Sequence, residues 1–351
     1  MNIPTYFKAG VLIDIEQPLQ LLDLKIPYLK DNQVLVKMHM AGLCRSQLME
    51  SKGLRGEDKY LPHLMGHEGV GEVIAVGNSV TKVKQGNRVV LGWLKGSGID
   101  SGGTHLISKE GQIINAGPVT TFSEYSVISE NRVTICPEGI SNELAVLLGC
   151  ALPTGAGMVL NQIQPHSNSN VILIGLGGIG ISALLMLKHF RPKKIIVVDI
   201  EQSKCDLALQ LGADEAYLYE EASLALLKEQ HPNGFDYAIE SAGLCETIEF
   251  AFNNIHNSGK CYFASHPKTG DFIKLDPHQL ICGKQIFGTW GGNCNPDKDL
   301  KSIADIIQKL EISINSLISH RYSLNQINEA ISALERREIT RAIITFENIE
   351  V

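Results

Sequence analysis

The 351-residue chain lacks an excess of basic residues and a long apolar run, and we expect no secretory leader in it. It has 31 Lys and Arg against 38 Asp and Glu, a formal net charge of −7, so we expect neither nucleic acid nor a membrane as its partner. No apolar stretch approaches the roughly 20 residues that a membrane-spanning helix needs. The N-terminal residues show no basic segment followed by an apolar run, so we expect a cytoplasmic protein.

Closely spaced cysteines are also missing. The eight cysteines are scattered, no two form a C-x-x-C pair, and none lies between residues 45 and 135. A structural zinc site closed by four thiolates is therefore not expected. Scattered thiols in a chain of this length are typical of a reducing compartment rather than of a disulfide framework. The length itself predicts about two domains.

The first 150 residues favour a β-rich domain. Short β-branched or alternating runs predict strands at Val34–Met38, Gly69–Val76, Arg88–Leu91 and Phe122–Ile128. The stretch from residue 92 to residue 119 is rich in Gly and Ser and shows little periodicity. It is predicted to be a long surface loop.

After residue 150, strands alternate with helices, which is typical of a parallel sheet covered on both faces. The predicted strands are Val171–Ile174, Lys194–Val198, Ala216–Leu218, Phe235–Ile239, Lys260–Ala264 and Gln285–Thr289. We therefore expect an α/β protein. Residues 151–290 form a doubly wound parallel-sheet domain, and residues 1–150 form a β-rich domain that residues 291–351 complete.

A glycine-rich segment, Gly175-Leu-Gly-Gly-Ile-Gly180, follows the first of these strands and opens a predicted helix. Gly175 permits a tight turn, Gly177 admits a pyrophosphate to the backbone, and Gly180 lets helix and strand pack closely. Asp199 ends the next strand. Its carboxylate would bind the ribose hydroxyls and repel a 2′-phosphate, which predicts NAD rather than NADP. The alternative is a glycine-rich turn of another α/β protein, with Asp199 only capping a helix.

Three separate segments carry residue types that bind zinc: Cys44, His67 and Cys150. Two thiolates and one imidazole leave a fourth coordination position open, which is the arrangement of a catalytic rather than a structural zinc. Spacing alone does not establish the set. The three residues are far apart in sequence, and a buried cysteine is often only a packing residue.

Taken together, these segments resemble the zinc-dependent medium-chain dehydrogenase/reductase superfamily, the alcohol dehydrogenase-like proteins. The resemblance covers nearly the whole chain, and its motifs occur in the family order: GLCRS at 42–46, GHEGVG at 66–71, GNRV at 86–89, Gly149-Cys150 and the glycine-rich loop. It implies a GroES-like catalytic domain and a Rossmann domain. The implied reaction is the reversible oxidation of an alcohol or polyol, with hydride transfer to NAD and one catalytic zinc per chain.

The resemblance also implies roles for single residues. Cys44, His67 and Cys150 fall on the zinc ligands, Glu68 lies beside the metal, and Ser46 takes up the proton of the alcohol. The positions that contact the cofactor are Arg45, Thr154, Gly175, Gly177, Gly178, Ile179, Gly180, Asp199, Lys204 and Arg341. Considered singly, Glu68 has the alternative of an ordinary buried and paired acid, and Ser46 that of a helix cap.

Several positions depart from the family pattern or leave alternatives open. Gln47 replaces an acid that orients a zinc ligand, so the metal is expected to be tuned differently. Met49 replaces the histidine at the solvent end of a proton relay, so the proton needs another exit. Trp93 falls at a substrate-pocket position, although core packing is an alternative, and Lys204 is equally a solvated lysine. The basic segment 52–59 is either a charged surface loop or a receptor for an anionic substrate.

Two other functions remain as alternatives. A zinc-free enone or quinone reductase of the same fold has no need of the metal residues, and a non-catalytic nucleotide-binding protein has no need of both signatures together. The expected partners are a small-molecule alcohol or carbonyl substrate and further copies of the chain, in a homodimer or homotetramer.

Overall fold

The computed structural model describes residues 3–310, 312 and 317–346. Within this range the chain divides into two compact units. The first contains the residues up to Cys150, Asn295–Ala304 and residues 317–346, and the second contains Ala151–Cys294 and the residues from Asp305 to 312. No helix among the described residues is long and apolar enough to span a membrane.

The strands, in chain order, are β1 (Tyr6–Leu12), β2 (Gln20–Lys25), β3 (Gln33–Leu43), β4 (His63–Leu64), β5 (Gly69–Val76), β6 (Arg88–Leu91), β7 (Thr104–Ser108), β8 (Ile113–Ala116), β9 (Tyr125–Ser129), β10 (Val133–Ile135), β11 (Asn170–Ile174), β12 (Lys194–Asp199), β13 (Glu215–Leu218), β14 (Phe235–Glu240), β15 (Ile255–Phe263), β16 (Gln285–Gly288), β17 (His320–Ser323) and β18 (Ala342–Thr345). The helices are α1 (Arg45–Ser51), α2 (Asn142–Leu147), α3 (Ala151–Met158), α4 (Gly178–Phe190), α5 (Gln202–Gln210), α6 (Glu221–Gln230), α7 (Cys245–Asn254), α8 (Pro277–Ile281), α9 (Pro296–Lys309) and α10 (Ile327–Glu335).

A closed barrel of the strands β1-β2-β7-β8-β4 forms part of the first unit. The prediction of a long loop over residues 92–119 is wrong here, because this stretch supplies the antiparallel pair β7 and β8. Residues of β7 alternate between buried and exposed, and Leu106 and Ile114 enter the barrel core. Because Gly and Ser residues surround this strand, its short alternation of buried and exposed residues is not evident in the sequence.

The second sheet of this unit has the order β10-β6-β5-β3-β18-β17, with β9 paired to β3. Strand β9 begins at Tyr125 and not at the predicted Phe122, because the N–H groups of residues 121 and 122 donate to the Met65 carbonyl. Ala342 of β18 pairs with Leu43 of β3, and Gly69 of β5 pairs with Ala41. This register brings the end of β3 and the starts of β5 and β18 to one edge.

The second unit contains the parallel sheet β13-β12-β11-β14-β15-β16, which confirms the doubly wound fold class. Strands β11 and β12 are apolar and almost entirely buried, as expected for parallel strands that helices cover on both faces. The strand order reverses between β11 and β14. Ligands of such sheets bind outside the carboxyl ends of the strands at this switch point.

Candidate active site

The strand ends of the first unit bring the three predicted zinc ligands together. Cys44 follows β3, His67 and Glu68 precede β5, and Cys150 follows α2 in the chain. The ligand atoms of these four residues all lie within 4.8 Å of one another. His67 Nε2 lies 3.2 Å from Cys150 Sγ. Three residues that are far apart in sequence therefore form one cluster.

Two glycines of the sequence motifs make room for Glu68. A Cβ atom on Gly42 would lie 2.6 Å from the carboxyl carbon of Glu68, and one on Gly149 would lie 2.7 Å from its Cβ. The Gly42 N–H also donates to the Glu68 carbonyl at 3.1 Å. Larger residues at either position would push Glu68 out of the cluster.

Protons are distributed unevenly between the two thiols. The hydrogen bond with the Cys150 thiol holds the pKa of Cys44 well below its ordinary value, although burial opposes this. The same hydrogen bond, reinforced by burial, raises the pKa of Cys150 well above the usual range. For His67, burial acts to lower the pKa, but the hydrogen bond and charge of Cys44 outweigh it and raise the pKa.

This cluster fits zinc. Its donors are two sulfurs and one imidazole nitrogen, the set that borderline-soft Zn²⁺ prefers, with three protein ligands and an open fourth position. Without a metal, the two thiols and the imidazole ring, whose donor atoms lie close together, share protons. Zinc binding replaces such protons, because the metal ligands must be deprotonated.

Glu68 forms a buried ion pair with Arg341. Glu68 is fully buried and Arg341 is only 5% exposed, and the Nη2 of the arginine donates to Glu68 Oε2. Burial raises the pKa of Glu68, with Arg341 acting in the opposite direction. The structure thus gives Arg341 a partner beside the metal residues, whereas the family resemblance assigned it to the cofactor pyrophosphate. That cofactor contact stays a prediction.

Gln47 is fully buried and bridges two residues of the zinc cluster. Its Oε1 accepts from the Cys44 N–H at 2.7 Å, and its Nε2 lies 2.6 Å from His67 Nδ1. Because an amide nitrogen only donates, His67 Nδ1 is the acceptor in this arrangement and Nε2 carries the ring proton. Zinc binding at Nε2 would shift that proton to Nδ1, and the Gln47 amide would then have to turn its oxygen towards the ring. A ligating histidine usually donates its second N–H to a carboxylate or carbonyl, so Gln47 supports His67 differently from an acid.

The first turn of α1 carries Arg45 and Ser46. Ser46 Oγ is buried and has no hydrogen-bond partner among the residues that the structure describes. Ser46 does not cap α1, since Cys44 occupies the N-cap position. Arg45 is exposed. Trp93, which follows β6, is partly buried, and its carbonyl oxygen accepts from Arg132.

In the second unit, the glycine-rich turn joins β11 to α4. Gly177 is the N-cap of α4, and a Cβ atom placed on it would meet nothing within 4 Å. Gly175 has a φ of +86°, and its Cβ would lie 2.9 Å from the Ala242 nitrogen. Gly178 and Ile179 form the first turn of the helix, where unpaired N–H groups favour phosphate. This open cradle fits the pyrophosphate of NAD.

Asp199 and Lys204, both expected at the ribose, already have protein partners. Asp199 is buried at the end of β12, where Oδ2 accepts from the Leu176 N–H at 2.6 Å and Oδ1 accepts from the Glu201 N–H at 3.1 Å. Lys204 Nζ pairs with Glu201 at 3.1 Å. Asp199 therefore fixes the glycine-rich turn, and its remaining lone pairs are those that a ribose would use. Thr154, the nicotinamide candidate, is buried in α3.

Sequence analysis missed Glu240, which is fully buried at the end of β14. Its Oε1 accepts from the N–H groups of Ala242 and Gly243 at 2.8 and 2.7 Å, while Oε2 has no partner among the described residues. Strand β14 pairs with β11, so Glu240 lies at the same carboxyl edge as the glycine-rich turn. The sequence signal that could have identified Glu240 is an acidic residue at the end of a largely apolar strand, as it was for Asp199.

Comparisons with known proteins agree with this geometry. Residues 30–138 match the family model of an alcohol dehydrogenase GroES-like domain, and residues 178–309 match that of a zinc-binding dehydrogenase. An S-(hydroxymethyl)glutathione dehydrogenase of Synechocystis sp. is 27% identical over 97% of this chain and 99% of its own length. An alcohol dehydrogenase zinc-binding domain protein of Burkholderia ambifaria superposes with a TM-score of 0.89 and 26% identity, covering 98% and 99% of the two chains. The benzyl alcohol dehydrogenase of Acinetobacter calcoaceticus superposes with a TM-score of 0.87 and 27% identity, covering 98% and 100%.

Proposed function

Because the chain belongs to the zinc-dependent medium-chain dehydrogenase/reductase superfamily, we propose that it oxidises a small-molecule alcohol or polyol reversibly to the aldehyde or ketone, with NAD as hydride acceptor. The observation that best supports this proposal is the cluster of Cys44, His67 and Cys150. We assign residues 1–150 with 291–351 to the catalytic domain and residues 151–290 to the NAD-binding domain. The zinc-free reductase is disfavoured, because that chemistry leaves the two thiols and the imidazole without a role.

Several residues of the chain have separate roles in the reaction of the substrate. Zinc held by Cys44, His67 and Cys150 supplies the Lewis acid that lowers the pKa of an alcohol. Ser46 Oγ, the buried atom that otherwise has no partner among the described residues, would accept the hydroxyl proton while the serine passes its own proton on to water. Glu68, fixed by its ion pair, orients the neighbouring ligands, and because the pair is neutral overall it adds no net charge.

NAD supplies the hydride acceptor, and the second unit binds it. The N–H groups at the start of α4 hold the pyrophosphate over Gly177. The resemblance to the family also assigns the guanidinium of Arg45 to phosphate binding. Asp199 accepts hydrogen bonds from the ribose hydroxyls, and Lys204 binds there after leaving Glu201. Thr154 and Ile179 contact the nicotinamide. These assignments carry over the family's roles to the matching positions.

The direct test is a panel of primary, secondary and aryl alcohols, polyols and phosphorylated polyols, scored for NADH formation. The relatives named above act on S-(hydroxymethyl)glutathione and benzyl alcohol, so both substrates belong in the panel. We expect NADH with at least one neutral alcohol. Ser46→Ala is expected to lose turnover while retaining its zinc. NADH formation by the enzyme stripped of its zinc would contradict the proposal.

We propose further that the chain forms a homodimer or homotetramer in the cytoplasm. Strand β16 is an edge strand of its sheet, and large apolar side chains near it are exposed: Ile281 is 81%, Trp290 69% and Phe287 39% exposed. Exposed apolar sheet edges are sites of strand pairing between chains. All eight cysteines are free thiols, as suits a reducing compartment. Light scattering tests the assembly, and a monomer would contradict it.

A further inference from the structure

A second group of metal-binding residue types lies in the first unit and shares no member with the zinc cluster. Glu50 belongs to α1, Asp58 to the loop that follows it, and His63 to β4. One ligand atom from each residue lies within 4.8 Å of the others. The loop at residues 52–62 contains the basic segment. Glu50 and His63, which flank this loop, thus lie close to Asp58 in its interior.

Hydrogen bonding fixes which nitrogen of His63 faces the acids. His63 is only 6% exposed, and its Nδ1 lies 2.9 Å from the Leu64 carbonyl oxygen. Because a carbonyl only accepts, Nδ1 carries a proton. The other nitrogen, Nε2, lies 2.9 Å from Asp58 Oδ2 and 4.0 Å from Glu50 Oε1. In a neutral ring, Nε2 therefore directs a lone pair at two carboxylates.

One proton on Nε2 does not satisfy both acids. It would bond to Asp58, and Glu50 would keep its charge without a side-chain hydrogen bond to any described residue. The side chains of Asp58 and Glu50 are only 15% and 30% exposed, so water screens these charges incompletely. A divalent cation would balance both carboxylates and take the ring lone pair as a ligand.

The spacing also suits such an ion. Tetrahedral N and O ligands at zinc bond lengths are about 3.3 Å apart. The distances from His63 Nε2 to Asp58 Oδ2 and to Glu50 Oε1, 2.9 and 4.0 Å, bracket this value. Contacts outside the cluster orient two of the ligands. Leu64 holds the imidazole, and the Tyr60 N–H donates to Asp58 Oδ1 at 2.9 Å. Ligating histidines and carboxylates are commonly held in this way.

We propose that Glu50, Asp58 and His63 form a second, exchangeable divalent-cation site that ties the 52–62 loop to β4. Imidazole with carboxylates selects Zn²⁺ and similar metals over Mg²⁺ and Ca²⁺, which prefer oxygen ligands. Without thiolates the site is weaker than the catalytic cluster, so extensive dialysis empties it and leaves the single catalytic zinc. The site needs no part of the proposed catalytic function.

The test begins with dialysed holoenzyme, which is then equilibrated with increasing free Zn²⁺ and assayed for bound metal by atomic spectroscopy. We expect the wild type to rise from one to two zinc ions per chain. Asp58→Asn keeps the side-chain size and the oxygen that Tyr60 contacts, and Glu50→Gln changes a partly exposed position, so neither should unfold the chain. Each should weaken the second site by at least about tenfold, since even changes around ligands cost that much. Glu57→Gln, an exposed neighbouring acid outside the cluster, is the control and should match the wild type.

Trypsin cleavage gives a readout that does not depend on activity. Arg55 and Lys59 are exposed in the loop that the ion would hold. Zinc should slow cleavage at both residues severalfold in the wild type and in Glu57→Gln, and leave it unchanged in Asp58→Asn. A wild type that binds no second zinc, equal zinc binding by Asp58→Asn, or cleavage that zinc does not affect would each overturn the proposal.

Discussion

The buried ion pair between Glu68 and Arg341 allows a quantitative test of how the candidate zinc site is held together. Arg341→Met keeps an unbranched side chain and removes the charge. It leaves the fully buried Glu68 carboxylate without its counter-charge. Removing one partner of a buried pair costs about 3–5 kcal/mol, a large part of the roughly 5–15 kcal/mol that stabilises an ordinary domain.

The double variant Glu68→Gln/Arg341→Met removes both charges, so it should recover most of that loss. Urea unfolding of the zinc-free chain, in excess chelator, measures the free energy of unfolding, so that a change in metal affinity does not enter the comparison. Arg336→Met is the matched control. Its partner Glu338 is exposed, as is Arg336 itself, and we expect no measurable loss. The reasoning is refuted if Arg341→Met costs less than about 1 kcal/mol, or if the double variant is less stable than Arg341→Met.

Three further predictions concern the cofactor and the metal. Asp199→Ser should narrow the preference for NAD over NADP in comparative kinetics, and a wild type that prefers NADP would show that Asp199 is misassigned. Gly177→Val fills the open space over the turn, so calorimetry should detect little NAD binding by a chain whose thermal unfolding is unchanged. Gln47→Asp restores a charged partner for His67 and should raise zinc affinity by about tenfold in a chelator competition, whereas a lower affinity would contradict this.

The parallel sheet was largely predictable from the sequence, because its strands alternate with helices and its central strands β11 and β12 are almost continuous apolar runs. The β-rich unit was less predictable from the sequence. Strand β7 alternates over only five residues among glycines and serines, and β3 continues through Leu43, well beyond the predicted Met38. Lys37 and His39 interrupt the apolar run of β3, and only alternate residues of β7 are buried, so the signal for both strands is weaker.

Partners that depend on chain topology could not be predicted. Arg341 reaches Glu68, 273 positions away in the sequence, because β18 pairs with β3. Likewise, Asp58 meets His63 only because the 52–62 loop folds back on itself. The family motifs identified the three zinc ligands, which sequence spacing alone could not have assigned to one site. They did not identify which residues pair with Glu68 or with Asp199.

The central claim is that Cys150 belongs to a zinc site on which turnover depends and NAD binding does not. Cys150→Ala is compared with Cys136→Ala, which removes another buried free thiol of the same unit. Zinc content, NAD affinity and alcohol turnover are measured on each variant. We predict that Cys150→Ala loses its catalytic zinc and its turnover but binds NAD normally, while Cys136→Ala keeps all three properties. Turnover retained by Cys150→Ala without zinc would contradict the account.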